Sequence, residues 1–452
     1  MKQPVLALFL AAFFAHCGSL AHAQQYEQLF DGQTLNGWKT AGGTAKFTVE
    51  DGCIVGHMAM NTPNTFLITE KHYGDFVLEL DVKLEGANSN SGVQIRSYQT
   101  AGGQVRGKQV EVEPTRRAWT GGIYDEGGRG WLYPLDLNEA ARSAYKPGEF
   151  NRIKVEAIGP NVKTWVNGVP ASYVVDPIGR EGLIGLQVHS IGTEVLVGKK
   201  VYFKNIRIQT KRLRPEPFPE EVHIVNLEPN SLAKDEKAKG VRLLFDGRTL
   251  RGWKSVRTGA LPKKGWRVEN GVITVEKSDG GESTNGGDIV TVGQYAAFDL
   301  WLEFKLTPGA NSGIKYFVTL KEQTAGSAIG LEYQLLDDAE HPDAKMGRDG
   351  NRTLASLYDL IPADKTNWRA RRPIGEWNTA RIRVTPDNKV THWLNGIKVL
   401  EYTRGDQRYK DLVALSKYAV WENFGMAERG HILLQDHGDE VSFRNIKIRK
   451  LK

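Results

Sequence analysis

Cysteine is almost absent from this chain of 452 residues, which contains only Cys17 and Cys53. Two cysteines allow neither a disulfide framework nor a cysteine-rich zinc module. Beyond the N-terminus, no apolar run approaches the roughly 20 residues that a membrane-spanning helix needs. Hydrophobic residues make up 40% and charged residues 25% of the chain, which is typical of a globular protein and not of a disordered or multi-span membrane one.

Several motifs that mark common enzyme classes are also missing. The sequence has no Gly-x-Gly-x-x-Gly after a strand, no Gly-Lys-Ser/Thr loop, no Gly-x-Ser-x-Gly and no His-Glu-x-x-His. Nucleotide cofactors and serine-hydrolase chemistry therefore have no support. The net charge is +7, but basic and acidic residues are interspersed, so nucleic-acid binding is not expected. A divalent metal ion remains open, because His341 and Asp343 offer ligands without a diagnostic spacing.

The N-terminus has the pattern of a secretory signal. Lys2 precedes an apolar stretch over residues 5–15, and Ala21-His22-Ala23 forms a small-x-small cleavage site. The sequence therefore predicts a signal peptide over residues 1–23 and a periplasmic or extracellular protein. His16 disfavours the alternative, a lipid anchor at Cys17. The sequence does not indicate an oligomeric state.

The rest of the chain contains one pattern twice. The matching segments, in the same order in both copies, are 29–38 and 244–253, 73–84 and 295–306, 148–151 and 375–378, 165–169 and 393–397, and 203–208 and 443–448. The copies are offset by 215 residues at the first segment and 240 at the last, and a repeat of this length indicates two whole domains and not a solenoid. We predict domains over 24–210 and 241–452. Residues 211–240, with four prolines and dense mixed charge, are predicted to form a stiff, extended linker.

Each copy has the period of β-strands. Apolar and polar residues alternate over 76–84 and 298–306. The Asn-Gly pairs at 167–168 and 395–396 favour type I′ hairpin turns. A change of parity in the last strand of each copy predicts bulges at 204–205 and 444–445. With 49 glycines for turns and no long helical periodicity, each copy is predicted to be an antiparallel β-sandwich of jelly-roll type.

Polar side chains recur on the strand face opposite the predicted core. Residues i and i+2 of a strand lie about 7 Å apart, so neighbouring groups on one face reach a common ligand. In the first copy these residues are Arg96, Gln109, Glu111, Glu113, Gln187 and His189. In the second copy they are Lys315, Glu332, Gln334, Gln435 and His437. Solvated strand faces also look like this, but the recurrence of Gln and His in both copies favours a binding cleft.

Aromatic residues follow the acid strand in both copies. Tyr124 with Trp131 in the first copy, and Tyr358 with Trp368 in the second, are candidates to contact a ligand. Aromatic rings beside polar groups suit sugars, which have apolar C–H faces and hydroxyl rims. The recurring polar and aromatic residues together predict a carbohydrate ligand.

The repeated motifs resemble a known family. Besides Leu-Phe-Asp-Gly-x-Thr-Leu-x-Gly-Trp, the segments that carry the resemblance are 311–314, 330–334, 356–359, 393–396, 434–438 and 443–446. They are similar to the 3-keto-disaccharide hydrolase domain family. The resemblance implies a concanavalin A-like sandwich in an exported protein that acts on glycosides oxidised at C3. The first copy departs from the pattern at Val188, where the second has Asp436, and the second has Phe317 where the first has Arg96.

The chemistry that this resemblance implies needs three kinds of group. A ketone at C3 acidifies the C2 proton, so the glycosidic bond can break by enolisation, β-elimination and addition of water. That route needs a base at C2, a donor or metal at the enolate oxygen, and an acid at the leaving oxygen. The candidates in the second copy are His437 or Glu332 as base, Lys315 or a metal for the enolate, and Tyr358 or Asp359 as acid. In the first copy the same roles fall to His189, Glu111 or Glu113, Arg96 and Tyr124. The candidates for substrate binding are Gln334, Gln435, Asp436, Arg96, Gln109, Gln187, Trp131 and Trp368.

Two other functions remain open from the sequence. One is a non-catalytic, lectin-like pair of carbohydrate-binding domains, because the same fold hosts both kinds of protein. The other is a direct glucanase, because Glu111 and Glu113 resemble the strand acids of laminarinase-type enzymes. A retaining glycosidase needs two carboxyls about 5.5 Å apart, and the second copy has only Glu332 at these positions.

Overall fold

The structure is a computed structural model that describes residues 26–278, 281–321, 323–324 and 326–452. The predicted signal peptide lies outside these residues. Strands dominate the described chain, and its two α-helices are short, α1 (Lys234–Ala238) and α2 (Gln407–Ala414). None of the helices in these residues has the length and apolar character to cross a membrane. Single 3-10 turns cover Leu135–Leu137, Glu139–Ala141, Glu194–Leu196, Pro342–Lys345, Trp368–Ala370 and Lys417–Val420.

The first copy folds into two facing sheets. Its strands are β1 (Glu27–Gln28), β2 (Trp38–Gly42), β3 (Phe47–Glu50), β4 (Cys53–His57), β5 (Thr65–Thr69), β6 (Phe76–Leu84), β7 (Ser91–Gln99), β8 (Val105–Val112), β9 (Ile123–Glu126), β10 (Gly130–Tyr133), β11 (Asn151–Ile158), β12 (Asn161–Val166), β13 (Val169–Val175), β14 (Leu183–Val188), β15 (Lys200–Gln209) and β16 (Val225–Asn226). One sheet has the order β16-β13-β12-β11-β6-β15-β4-β3, with β1 also on β15, and the other β10-β9-β8-β7-β14-β5-β2.

The second copy repeats this architecture. Its strands are β17 (Val241–Leu243), β18 (Trp253–Ser255), β19 (Trp266–Glu269), β20 (Val272–Val275), β21 (Ile289–Thr291), β22 (Phe298–Leu306), β23 (Asn311–Val318), β24 (Gln323–Thr324), β25 (Ser327–Ala328), β26 (Leu331–Leu336), β27 (Asn378–Val384), β28 (Lys389–Leu394), β29 (Ile397–Thr403), β30 (His431–Leu434) and β31 (Val441–Lys450). One sheet has the order β19-β20-β31-β22-β27-β28-β29, with β17 on β31, and the other β18-β21-β30-β23-β26. Strands β24 and β25 pair as a small hairpin.

The alternating pattern of the sequence explains the packing. In β6 and β22 every second side chain is buried, and the two strands have the same burial pattern along their whole length. The buried side chains of the first copy form one hydrophobic cluster and those of the second form another. Burying one face of each sheet against the other stabilises each sandwich. The prediction of two tandem antiparallel β-sandwiches is confirmed.

The predicted turns and bulges are confirmed as well. Asn167 and Asn395 have φ of 51°, and the glycines that follow them also have positive φ, as a type I′ turn requires. The register of the last strand shifts after Lys204 in the first copy and after Arg444 in the second. Asn205 and Asn445, with φ of 52° and 55°, are the extra residues of these bulges.

The segment over residues 211–240 packs closely on the protein. Phe218, Val222 and Ile224 are buried in the core cluster of the first sandwich. Strand β16 within it pairs in parallel with β13. The apolar side chains between the prolines explain why the segment lies against the sheet, whereas composition alone suggested an extended linker.

Candidate active site

A cavity of about 160 Å³ opens on the sheet β18-β21-β30-β23-β26 of the second sandwich. Strands β23, β26 and β30 turn Ile314, Tyr333 and Leu434 into the core, so the alternate residues face the cavity. Its polar lining consists of Glu282, Asn311, Lys315, Ser327, Glu332, Gln334, Tyr358, Lys417, Gln435 and His437, with Tyr418 and Trp421 beside them. The structure therefore brings together most of the side chains predicted for the second copy.

Glu332 and Lys315 are cross-strand neighbours at the centre of this cavity. Glu332 is only 5% exposed, and its carboxyl has no hydrogen bond from the described part of the chain. Burial raises the pKa of Glu332 to about 7, against the opposing effect of Lys315. A carboxyl with this pKa accepts and returns a proton near neutral pH, as a general base must.

A glycine makes room for this carboxyl. Gly313 lies beside Gln334 in the register, and a Cβ atom on it would come within 2.1 Å of Glu332 Oε1. A side chain at this position would therefore push the carboxylate away. The first sandwich uses the same arrangement, because a Cβ atom on Gly92 would come within 2.3 Å of Gln109 Cδ.

Lys315 is surrounded by acids. Its Nζ lies 3.5 Å from Glu282 and 3.8 Å from Asp288. Burial would raise the pKa of Glu282, but Lys315 and His437 hold it at about 2. Burial raises the pKa of Asp288 to about 6. Although burial favours the neutral amine, Glu332, Asp288 and Glu282 together raise the pKa of Lys315, so it is an ammonium group at neutral pH.

Two glutamine side chains leave buried acceptors without a partner. Gln334 Nε2 donates to Asn311 Oδ1 at 3.3 Å, and Gln435 Nε2 donates to Glu282 Oε1 at 2.9 Å. These bonds fix the amide orientations, and the Oε1 atoms of both residues are buried without a hydrogen bond. Burying an unpaired acceptor is costly. The two oxygens therefore favour a ligand that donates hydrogen bonds, such as a sugar with free hydroxyls.

His437 is held in one tautomer by the same chain of amides. Because Asn311 Oδ1 accepts from Gln334, its amide nitrogen faces His437 Nε2 at 3.3 Å and donates to it. The proton of the imidazole is then on Nδ1. Burial lowers the pKa of His437, so the ring is neutral at neutral pH. The unprotonated nitrogen of His437 already accepts a hydrogen bond from Asn311. Glu332 is therefore a better candidate for the general base than His437.

A metal ion does not fit the hydrogen bonds of this arrangement. His341, His437 and Asp439 each place one ligand atom within 4.8 Å of the others. However, His341 Nδ1 accepts from the amide of Asp343 at 3.2 Å, and His437 Nε2 accepts from Asn311. A neutral imidazole that uses one nitrogen as an acceptor has a proton on the other. A cation would need both rings to give up these hydrogen bonds, so these residues do not fit a metal ion.

Tyr358 faces the cavity and is held from behind. Its hydroxyl donates to Asp343 at 2.8 Å, and burial together with this bond raises the pKa of Tyr358 above its usual value. Lys417 Nζ lies 4.3 Å from the centre of the Tyr358 ring. This ammonium has no carboxylate within 4.0 Å among the described residues, so it is available to a ligand.

Two predicted site residues have structural roles instead. Asp359 is paired with Arg352 at 2.7 Å and accepts from the Lys417 amide at 2.8 Å, so it fixes the loop and does not line the cavity. Asp436 is fully buried and accepts from the amides of Gly286 and Gly287 at 3.0 and 2.8 Å. The predictions that Asp359 is catalytic and that Asp436 binds substrate are wrong, because backbone donors and an arginine occupy both carboxylates.

Several lining residues escaped prediction because they lie on irregular segments. Glu282 is on the loop before β21. Lys417, Tyr418 and Trp421 lie between β29 and β30, where residues 404–430 of the second sandwich replace the short connection 176–182 of the first. The alternation of a strand does not extend to these loops, so it does not predict which way their side chains point. The greater length of the connection in the second copy is the signal that indicates a function for it.

The first sandwich lacks the charges of this site. Gln94 pairs with Gln109 where Lys315 pairs with Glu332, and Gln94 Nε2 donates to Gln109 Oε1 at 2.9 Å. Arg96, predicted as the counterpart of Lys315, donates instead to Gly74 O, Gly159 O and Asp75 at 2.7–2.9 Å. Arg96 has φ of 47° and lies at a shift of register, which marks a bulge. The bulge turns the Arg96 side chain away from the sheet face that carries Gln94 and Gln109. The prediction that Arg96 takes the role of Lys315 is therefore wrong.

The acids of the first sandwich are held by an arginine. Arg117 lies 2.8 Å from both Glu111 and Glu113. Burial raises the pKa of Glu111 to about 7. Trp131 packs against Trp119 with ring centroids 4.5 Å apart. Arg117 thus engages the carboxylates of both Glu111 and Glu113, whereas the carboxyl of Glu332 has no such partner among the described residues.

The remaining predicted residues have other partners. Tyr124 is the cross-strand neighbour of Gln109, and its ring is tilted against that of Trp131 with the centroids 5.1 Å apart. His189 Nδ1 bonds Ser190 O at 2.6 Å, within its own loop. Gln187 is fully buried with both amide atoms unpaired. Trp368 is 78% exposed and does not line the cavity, so the structure places it outside the site in which it was predicted to contact substrate.

Comparison with known protein families and structures shows which family this chain belongs to. The model of the 3-keto-alpha-glucoside-1,2-lyase-like domain matches residues 25–209 and 240–449. A 3-keto-disaccharide hydrolase from Bacteroides thetaiotaomicron is 38% identical over 245 residues, covering 50% of this chain and 83% of that protein. A proposed glycosyl hydrolase of known structure from Parabacteroides distasonis is 32% identical with a TM-score of 0.43, covering 50% of this chain and 100% of that one. A second one from that organism is 25% identical with a TM-score of 0.33, covering 44% and 99%.

Proposed function

Because the chain belongs to the 3-keto-alpha-glucoside-1,2-lyase-like domain family, we propose that it is a carbohydrate-active hydrolase that cleaves 3-keto-glycosides. The observation that carries the proposal is the pair of Glu332 and Lys315 in the cavity. Glu332 is a buried, unbonded carboxyl with a pKa of about 7, and Lys315 is a buried cation one strand away. This is the pairing of base and cation that proton abstraction beside a ketone needs.

The first half of the reaction is an elimination. Glu332 takes the C2 proton of the keto-sugar, and the electron pair moves to the C3 oxygen, where Lys315 stabilises the negative charge. The electrons then return, the bond between C1 and the leaving oxygen breaks, and a cationic donor protonates that oxygen. We assign this donor to Lys417, since the Tyr358 hydroxyl is engaged by Asp343. An unsaturated keto-sugar and an alcohol result.

The second half is the addition of water. Water attacks C1 of the unsaturated keto-sugar and gives a proton to Lys417, and the protonated Glu332, whose proton exchanges with solvent between the two halves, donates a proton to C2. The sum of both halves is hydrolysis, with no net change in the protein. The acceptors Gln334 Oε1 and Gln435 Oε1 receive sugar hydroxyls throughout and hold the ring over Glu332. Holding the substrate in a fixed position before the chemistry begins lowers the barrier to the reaction.

We assign catalysis to the second sandwich alone. In the first sandwich, Gln94 and Gln109 occupy the positions of Lys315 and Glu332. Arg117 forms ion pairs with Glu111 and Glu113. We also propose that residues 1–23 are removed on export, that the mature protein acts outside the cytoplasm, and that residues 211–240, packed on the first sandwich, join the two domains at 24–210 and 241–452.

The direct test compares an oxidised glycoside with its parent. The purified protein is incubated with both anomers of 4-nitrophenyl 3-keto-glucoside and of 4-nitrophenyl glucoside, and nitrophenol release is followed against a control without protein. We expect release above the control from a keto-glucoside only. Binding without release would favour a lectin-like protein, and release from the parent glucoside would favour a direct glycosidase.

The rate of cleavage is expected to rise with pH. Glu332 must be deprotonated to act as a base, and its pKa is about 7. kcat/KM should therefore be low at pH 5, increase through about pH 7 and level off above it, because Lys315, whose pKa is raised, stays charged over this range. A pH series of initial rates measures this. A rate independent of pH from 5 to 9 would contradict the assignment of Glu332 as base.

Gly313→Ala is expected to impair catalysis more than stability. The new methyl group would displace the Glu332 carboxylate, and a misplaced base costs on the order of 10²-fold in rate. Overpacking of this kind costs about 1–3 kcal/mol of stability. The measurements are kcat/KM and the melting temperature. The matched control is Gly92→Ala, which crowds Gln109 in the first sandwich and should destabilise similarly while leaving kcat/KM unchanged. Equal losses of activity in both variants would disprove the assignment.

A further inference from the structure

In the first sandwich, an arginine and a tryptophan cover the acids of the face that corresponds to the active site. Arg117 Cζ lies 4.8 Å from the centre of the Trp119 ring and 4.9 Å from that of Trp131. The backbone amide of Trp119 also donates to Glu113 at 3.0 Å. The acids and aromatic residues that would bind a sugar are thus engaged with each other.

The second sandwich contributes a second arginine, Arg369, which also lies against the Trp119 ring. Arg369, on the 3-10 turn Trp368–Ala370, places its Cζ 4.6 Å from the centre of the Trp119 ring. Its Nη2 lies 2.6 Å from Asp136 of the first sandwich, and Trp119 Nε1 donates to the same carboxylate at 3.4 Å. One tryptophan therefore contacts an arginine from each sandwich, and one aspartate holds both the ring and the incoming arginine.

The ion pair between Asp136 and Arg369 is partly buried. The side chain of Asp136 is 9% exposed and that of Arg369 27% exposed, so the attraction is screened less than at an open surface. An arginine that lies on an aromatic face and is paired with a carboxylate is typical of specific contacts. Leu137, next to Asp136, lies over the hairpin turn of the second sandwich, where a Cβ atom on Gly396 would come within 2.3 Å of Leu137 Cδ2.

We propose that the rim of this face of the first sandwich, formed by Trp119, Asp136 and Leu137, is the docking surface for the second sandwich, with Arg369 as the residue that is recognised. The two sandwiches present corresponding faces. The second has the cation and the base, whereas in the first the rim of the corresponding face contacts the neighbouring domain. This inference does not depend on the reaction, because it concerns residues outside the cavity.

The test is a double-mutant cycle in the full chain. The variants are R369D, D136R and the exchange D136R/R369D, and the readout is calorimetric unfolding. We expect a single cooperative transition in the wild-type protein. Each single variant should separate the sandwiches into two transitions or lower the first by several degrees, since about 1 kcal/mol corresponds to about 2–4 °C in domains of this size. The exchange should recover at least half of the loss.

Two controls keep the test decisive. Arg142 lies 3.7 Å from Asp136 within the first sandwich, so R142M removes a neighbouring charge without touching the contact and should leave one transition. R369M leaves the first sandwich unaltered and serves if D136R does not fold. Additive effects of D136R and R369D without recovery in the exchange, or an equal effect of R142M, would overturn the proposal.

Discussion

Replacement of Glu332 by glutamine is expected to abolish cleavage of 3-keto-glycosides while the protein stays folded. Glutamine has the same shape but cannot accept the C2 proton, and loss of a general base costs about 10²–10⁴-fold in rate. The fold should tolerate it, because the first sandwich has Gln109 at the equivalent position. Measurement of kcat with a 3-keto-glucoside, beside a melting curve, tests this expectation.

The first sandwich provides a matched control for this variant. Glu111 is also buried on a sheet face and also has a pKa of about 7, but Arg117 holds it. Glu111→Gln should therefore change stability without changing kcat. If E111Q lost as much activity as E332Q, catalysis would not belong to the second sandwich alone. If E332Q retained full activity, another group would be the base.

Removal of the buried cation is expected to have the second large effect. Lys315→Met takes away the charge that stabilises the enolate, which costs about 10²–10³-fold in rate. It also leaves Glu332, Glu282 and Asp288 without the cation that favours their charged forms. The pKa of Glu332 should therefore rise further, and the midpoint of the pH–rate profile should move to higher pH. Uncompensated buried charge should destabilise the protein by about 3–5 kcal/mol near neutral pH.

The shift of the profile separates catalysis from stability. A variant that is merely unstable loses active protein at every pH, whereas K315M should have a displaced midpoint when assayed well below its melting temperature. Lys108→Met is the control, since Lys108 is a buried lysine of the first sandwich paired with Asp176 at 3.1 Å. It should destabilise without moving the profile. An unshifted profile in K315M would mean that Lys315 does not act on Glu332.

The fold could be predicted because its signals are local. Alternation in β6 and β22, the Asn-Gly turns and the parity change in the last strands each depend on a few neighbouring residues. The same parity correctly placed Glu332, Gln334, Lys315 and Gln435 on one face. Internal repetition then confirmed each signal by a second occurrence.

The errors at the site have physical causes. Arg96 was matched with Lys315 by charge, but a bulge at Arg96 reverses its side, and parity fails wherever a strand has an extra residue. The predictions for Asp436 and Asp359 rest on the family resemblance and the recurring Tyr-Asp pair, and neither shows that loop amides and Arg352 engage these carboxylates. Glu282 and Lys417 reach the cavity from loops whose course depends on tertiary contacts and not on any local period.

The most direct test of the central claim is the fate of the C2 hydrogen. A 3-keto-glucoside is cleaved in deuterium oxide, and the sugar product is examined by proton NMR, with product alone in the same buffer as the exchange control. If Glu332 abstracts the C2 proton and the hydration step returns one from solvent, the product should contain deuterium at C2 in proportion to turnover, and E332Q should form none. Full cleavage with hydrogen retained at C2 would mean that the C2 proton does not exchange with solvent during turnover and would contradict the proposed mechanism.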